Sequence, residues 1–171
     1  MIINAEIVSQ PIAGSYKERI YDISSNWNSQ HWTWVKFTDD ELSKWYGEFR
    51  GFPIDVALST KYNTVLILTS DYLYQLDCSS KEIIEYEEQP RYKNLTVTSS
   101  GDFIVSDYCY IELIEGTLSE TRILNSPIEM DMIKFGQWNN KKLKITCEEL
   151  FNDSNTIELE LDVDSFEITI K

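Results

Sequence analysis

The chain has 171 residues, and its 29 Asp and Glu residues outnumber its 15 Lys and Arg residues, which gives a formal net charge of −14. This length predicts a single domain, and a hydrophobic content of 42% is too high for a disordered acidic tail. The negative charge argues against binding of nucleic acid or anionic lipid, because both need Lys and Arg, and it favours a cationic partner.

The sequence shows no targeting signal. Residues 1–6 lack the basic and apolar regions of a signal peptide, and no apolar run approaches the roughly 18 residues of a membrane span. The three cysteines, Cys78, Cys109 and Cys147, are odd in number and widely spaced, which is typical of reduced thiols. We therefore expect a cytoplasmic protein with small, packed cysteine side chains.

The first 52 residues contain four of the five tryptophans. Within them, Trp32–Phe37 alternates in the manner of a strand. We assign Trp32, Trp34 and Trp45 to packing, because they alternate with or lie near residues expected in the core.

One short helix is predicted after that strand. Thr38 is followed three residues later by Glu41, which is the pattern of a capping box at the start of a helix. The helix would bury Leu42 and Trp45 and end near Gly47.

From about residue 54 onward, apolar and polar side chains repeat with a period of two, which predicts β-strands. The C-terminal stretch is an example, since Ile157, Leu159 and Leu161 alternate with acidic residues. The other predicted strands are Val65–Leu68, Asp71–Asp77, Lys81–Tyr86, Leu95–Val97, Phe103–Val105, Tyr108–Ile114, Thr121–Leu124 and Phe166–Ile170.

An internal repeat organises these strands. Ser70–Tyr74 recurs as Ser106–Tyr110 at an offset of 36 residues, and a weaker third unit runs from Glu129 to Ile170. Self-similarity at this period suggests stacked or radially arranged four-stranded units. The segment Leu73–Ile84 resembles the outer hairpin of a propeller blade.

The predicted fold class is therefore mainly β: an antiparallel meander of propeller-blade-like repeat units with one short N-terminal helix. It would form one domain, with a Trp-rich part at residues 1–52 and the repeats at residues 53–171. Three units of about 40 residues fit into the second part, whereas closed propellers usually need four or more blades. We expect an incomplete propeller or a strongly twisted sheet.

No catalytic, metal or cofactor motif stands out. His31 is the only histidine, so any zinc site with a histidine ligand and any catalytic triad would have to use this residue. Asp162-Val163-Asp164 is interpreted first as a turn. We predict no catalytic residue, no metal and no cofactor; the alternatives are a small carboxylate-dependent hydrolase and a non-catalytic structural β-repeat module.

Clustered acids interleaved with tyrosines predict a protein-binding surface, because tyrosine is enriched in interface hot spots and acids complement a basic partner. A solvated acidic face is the simpler alternative. The candidate partner-binding residues are Glu82, Glu85, Glu87, Glu88, Asp102, Asp107, Glu112, Tyr72, Tyr74, Tyr108 and Tyr110.

The stretch Trp45-Tyr46-Gly47-Glu48-Phe49-Arg50-Gly51, together with motifs between residues 32 and 135, resembles a little-characterised family of small β-rich bacterial proteins. These proteins resemble immunity proteins of contact-dependent growth inhibition and other polymorphic toxin systems. The resemblance implies a cytosolic antitoxin-like protein, monomeric when free, that binds and neutralises a cognate toxin. Because the cleft of a nuclease must be cationic, an acidic inhibitor suits a basic nuclease such as an RNase, whose active site it would block.

Overall fold

The computed structural model describes the backbone of residues 1–150 and 152–171, and the side chains of residues 1–150 and 155–171. The described residues form strands in four four-stranded sheets and contain no helix, which confirms the all-β prediction. The strands are β1 (Ile2–Val8), β2 (Lys17–Tyr21), β3 (Trp32–Asp39), β4 (Lys44–Arg50), β5 (Pro53–Ser59), β6 (Thr64–Thr69), β7 (Tyr72–Asp77), β8 (Ile83–Glu88), β9 (Asn94–Val97), β10 (Phe103–Ser106), β11 (Ile111–Ile114), β12 (Thr121–Ile123), β13 (Met130–Asn139), β14 (Lys142–Glu149), β15 (Asn152–Asp162) and β16 (Ile168–Ile170).

The predicted helix after Thr38 is wrong. Residues 40–43 form the turn between β3 and β4, in which the amide of Leu42 donates to the carbonyl of Asp39 at 2.8 Å. Leu42 has a φ of 60° and is exposed, whereas Trp45 is buried as expected. The same acidic residues suit a tight turn as well as a helix start, and the aromatic residues on both sides favour paired strands.

The chain divides into two compact units, Met1–Pro90 (unit 1) and Arg91–Lys171 (unit 2). The single-domain organisation stays a prediction. The described residues include no helix of sufficient length and hydrophobicity to cross a membrane.

The first sheet of unit 1 has the order β1-β3-β4-β2, and β2 runs parallel to β4. This parallel pair lies in the Trp-rich part of the chain, outside the residues for which the antiparallel meander was predicted. Gly47 lies in β4, where a Cβ atom would approach ring carbons of Phe49 at 2.7 Å and of Phe37 at 2.8 Å. Glycine at this position therefore leaves room for the aromatic rings of the core.

The second sheet of unit 1 is an antiparallel meander with the order β5-β6-β7-β8. A core of buried side chains lies between the two sheets; Phe49, for example, is fully buried and its ring centroid is 5.1 Å from that of Tyr74. The sheets are also tied by the Tyr21 hydroxyl, which donates to the carbonyl of Lys81 at 2.7 Å, and by the Ile2 amide, which donates to the carbonyl of Cys78 at 2.8 Å.

Unit 2 contains two further antiparallel meanders, β9–β12 and β13–β16. The strands β13–β16 lie within the predicted third repeat, Glu129 to Ile170. Trp138 Nε1 donates to Thr96 Oγ1 at 2.9 Å and Asn94 Nδ2 donates to the carbonyl of Ile133 at 3.0 Å, so side chains bridge β9 and β13. The cysteine prediction is confirmed for Cys78 and Cys147, which are buried in the cores of units 1 and 2 respectively.

Buried ionisable groups should make unit 1 sensitive to alkali. Burial raises the pKa of Cys78 to about 11, and it raises the pKa of Tyr74 and of Tyr21 above the usual tyrosine range. In the unfolded chain the thiol ionises near pH 8.5, so the unfolded state releases its proton first. Stability is therefore fully present below about pH 8.5 and falls as the pH rises toward 11, by at most about 3 kcal/mol for Cys78.

Urea unfolding at pH 7.5, 9 and 10.5 measures this loss. The Cys78→Ala variant is less stable at pH 7.5, because it leaves a small cavity, but its stability should fall less between pH 7.5 and 10.5. Cys109→Ala, at a half-exposed thiol, is the control and should keep most of the wild-type pH dependence. An unchanged slope in Cys78→Ala would contradict the assignment.

Candidate protein-binding surface

The outer strand β8 of the second sheet carries the predicted acidic residues of unit 1. We call residues 82–88 the β8 edge. Ile84 is 55% exposed and Tyr86 is 46% exposed, and Glu82 and Glu88 are exposed beside them. Glu85 and Glu87 are half-buried. The surface of this strand therefore combines carboxylates with one aromatic and one aliphatic side chain.

Contacts within unit 1 hold this surface in place. Glu82 pairs with Arg19, whose hydrogen bond is the main reason that the pKa of Glu82 lies below its usual range. The Ser25 hydroxyl donates to Glu88 Oε2 at 3.1 Å. The Tyr86 ring packs edge-on against the buried Tyr72 at 6.2 Å between centroids. Tyr86 is thus an exposed aromatic that is anchored on the core.

The β8 edge is poorly suited to pairing with a further strand. Its register with β7 shifts between Gln75 and Leu76, which is opposite Ile83–Glu85 on β8. Bulges and charged side chains on edge strands are common means of preventing strand addition. A partner would therefore contact the side chains of this strand rather than extend the sheet.

Tyr72 and Tyr74 do not belong to the surface, which corrects the sequence-based assignment. Both side chains are buried in the core of unit 1, and burial raises the pKa of each hydroxyl. The Tyr74 hydroxyl accepts from the amide of Arg50 at 3.3 Å, and the Tyr72 hydroxyl bonds to Asn28. Every residue from Tyr72 to Leu76 is buried, so a period of two carries no information about exposure in this strand.

Tyr108 and Tyr110 occupy the same positions of the repeat and are exposed. The connection between β6 and β7 is two residues long, whereas the connection between β10 and β11 comprises Asp107–Tyr110. Both tyrosines of the second copy therefore lie in a loop, where they are available to a partner.

The three predicted acidic residues of unit 2 have structural roles, which is a second correction. Asp102 and Glu112 are buried. Glu112 pairs with Arg91 and accepts from the Tyr92 hydroxyl at 3.2 Å. Asp107 is half-buried, and its Oδ1 accepts from the amides of the two residues at 109 and 110, each at 2.7 Å. Carboxylates used in this way stabilise turns and sheets and leave little for a partner.

Two exposed apolar residues were missed by the sequence analysis. Ile84 lies on the β8 edge, and Ile123 lies on the outer strand β12 of unit 2, where it lines a groove of about 430 Å³ with Tyr110 and Met130. For Ile123 the available signal was an apolar residue in a strand that is otherwise polar, whereas Ile84 follows Ile83 and carries no such signal. Both residues add apolar contact area beside predicted partner-binding residues.

The single histidine lies at the surface. His31 is exposed and stacks on Phe52 with 3.6 Å between ring centroids. In the part of the chain that the structure describes, no group of three His, Cys, Asp or Glu side chains is placed to hold a metal ion.

No protein-family model matches this chain, and no curated protein matches it. Among solved structures, similar chains occur in a Saccharomyces cerevisiae complex of a Dbp5 variant bound to Nup159, a Gle1 variant, IP6 and ADP, and in the crystal structure of the N-terminal domain of Nup159. Each shares 13% sequence identity with a TM-score of 0.48, and the match covers 71% of this chain and 34% of the other. A similarity of this size supports no conclusion about the function of this chain.

Proposed function

We propose that this chain is an immunity protein that binds and neutralises a cognate bacterial toxin in the cytoplasm. The observation that carries the proposal is the β8 edge, where exposed carboxylates surround exposed Ile84 and Tyr86 in a chain of net charge −14. The resemblance of Trp45–Gly51 to the family of small β-rich bacterial proteins points to the same class.

A basic nuclease such as an RNase is the proposed partner. Its substrate cleft must carry Lys and Arg to neutralise phosphates, and an acidic surface steers such a cleft toward the inhibitor. Tyr86 would supply the apolar contact, while Glu82 and Glu88 would face basic side chains at the rim. Neutralisation then follows from steric blocking of the active site and requires no catalysis by this chain.

The proposed protein also has a specific arrangement of its three antiparallel meanders. The three meanders β5–β8, β9–β12 and β13–β16 each have the strand order of a propeller blade, and we propose that they form an incomplete propeller that is monomeric when free. Size-exclusion chromatography with light scattering tests the monomer.

The first experiment is co-purification of the full chain with the product of the adjacent reading frame. A stable complex that survives moderate salt and suppresses the toxicity of that product supports the proposal. A neighbour without toxicity, or no complex at low salt, would remove its main support.

The second experiment maps the contact. Glu85 and Glu87 are half-buried, so reversing their charges would mix folding and binding effects. The Tyr86→Ala and Glu88→Lys changes avoid this problem. Tyr86→Ala should weaken toxin binding by about tenfold or more, because truncating a hot-spot residue costs about 2 kcal/mol or more and about 1.4 kcal/mol corresponds to tenfold. Glu88→Lys should mainly slow association, and its effect should shrink with added salt.

The matched control is Glu41→Lys, which changes the same charge at an exposed turn of the same unit. Surface plasmon resonance against the toxin measures both rate constants, and urea unfolding checks that the variants stay folded. Equal effects of Glu41→Lys and Glu88→Lys would show that only overall charge matters. Unchanged affinity in Tyr86→Ala would place the interface elsewhere.

A further inference from the structure

A second concave site lies at the edge of the first sheet of unit 1. Its volume is about 430 Å³, within the range of small-molecule sites. Three segments line it: the start of β2, the β3–β4 turn with the start of β4, and Lys81. It adjoins the β8 edge, because Arg19 in its lining pairs with Glu82, but none of residues 82–88 lines it.

The site is basic in an acidic chain. Four of the 15 basic residues line it: Lys17, Arg19, Lys44 and Lys81. The carboxylates that line it are Glu18 and Asp39. Since the chain as a whole carries a net charge of −14, this concentration of cations is local.

The charged groups of the inner wall are paired and hydrogen-bonded. Lys81 Nζ is 2.7 Å from Asp39 Oδ2 and lies 5.2 Å from the centroid of the Trp45 ring. Trp45 Nε1 and the Ser43 hydroxyl also donate to Asp39, at 3.1 and 3.2 Å. Burial disfavours the charge on Asp39, but these hydrogen bonds outweigh it and hold the pKa of its carboxyl below the usual range.

The outer wall has cations without an acidic partner. Arg19 is paired with Glu82. Lys17 and Lys44 are exposed, and neither has a carboxylate within ion-pair distance among the residues that the structure describes. Lys17, at the start of β2, and Lys44, at the start of β4, both line the pocket, so the two exposed lysines border the same opening.

We propose that this pocket binds a small polyvalent anion of the phosphate or carboxylate type, held by Lys17 and Lys44. A lysine ammonium is a compact point charge that suits such anions, and it is a common phosphate ligand. A compact anion fits because the basic area is confined to the pocket. A long polyanion would extend beyond it over the surface of a chain with a net charge of −14, which would repel it.

Isothermal titration calorimetry of the full chain tests the proposal with pyrophosphate and with citrate, each against NaCl of the same ionic strength. We expect saturable binding of at least one probe; tighter pyrophosphate binding assigns a phosphate-type ligand, and tighter citrate binding a carboxylate-type ligand. The double variant Lys17→Gln/Lys44→Gln should bind roughly tenfold more weakly, since two charge-assisted contacts are lost.

The control is Lys61→Gln, which removes an exposed lysine of unit 1 outside the pocket. All variants should remain folded in urea unfolding, because the changed side chains are at the surface. No saturable binding of either probe, an unaffected double variant, or an equal loss in Lys61→Gln would overturn the proposal. None of these outcomes depends on the toxin.

Discussion

The Phe49→Ala variant is expected to lose about 3–5 kcal/mol of unfolding free energy, as full truncation of a buried aromatic typically does. Phe49 is fully buried among other aromatic rings: its ring stacks on that of Tyr21 at 4.7 Å between centroids, lies 5.1 Å from that of Tyr74 and meets that of Phe37 edge-on at 6.3 Å. Because these four rings pack together, the cavity left by Phe49 would not close readily. A loss of this size approaches the whole stability of many domains.

Phe52→Ala is the matched control. Phe52 is three residues further along the chain and 53% exposed, so its truncation should change stability by less than about 1 kcal/mol. Urea unfolding followed by tryptophan fluorescence and by circular dichroism measures both variants. Similar losses in the two variants would mean that the core of unit 1 is not organised around Phe49.

The Gly51→Ala change should be nearly as damaging, at about 2–5 kcal/mol. Gly51 has a φ of 107°, which is costly for any L side chain. An added Cβ would also lie 2.7 Å from Thr69 Oγ1 and 2.8 Å from the backbone nitrogen of Asp71. Thr69 cannot move aside cheaply, because its hydroxyl donates to the carbonyl of Arg50 at 2.7 Å and accepts from the amide of Tyr72 at 3.0 Å.

Gly14→Ala separates the two causes. Gly14 also has a positive φ, 77°, but a Cβ there would meet nothing within 4 Å. Its substitution should cost only the backbone strain, about 1–2 kcal/mol. The difference in urea midpoint between the two variants then reports the collision at Gly51 together with the extra backbone strain of its larger φ. If both variants lose the same unfolding free energy, the close approach of Gly51 to Thr69 does not contribute to the cost of the Gly51→Ala change.

The repeats could be predicted from the sequence because both their period and their strand alternation are local. Each of the strands β5–β12 has a counterpart one repeat away, and the turns between them are marked by polar residues. The first sheet could not be predicted in the same way. The parallel pairing of β2 with β4 joins Lys17–Tyr21 to Trp45–Phe49, and no local pattern indicates such a distant partner.

The candidate surface was predictable in part. Acidic residues on an edge strand are normally exposed, and Glu82 and Glu88 follow that rule. Glu112 does not, because Arg91 and Tyr92 compensate its burial, and such compensation depends on contacts across the sheet. Exposure of Tyr86 likewise depends on its place in an outer strand, which the sequence does not reveal.

The unequal connections of the two repeats give the same motif two different environments. Tyr72 begins a buried strand, whereas Tyr108 and Tyr110 precede theirs, although both copies retain Ser-Asp-Tyr-x-Tyr. Because β11 starts later in its repeat than β7 does, the tyrosines that are buried in the first copy are exposed in the second. In a repeated unit, a longer connection alone can therefore bring the aromatic side chains of an unchanged motif to the surface.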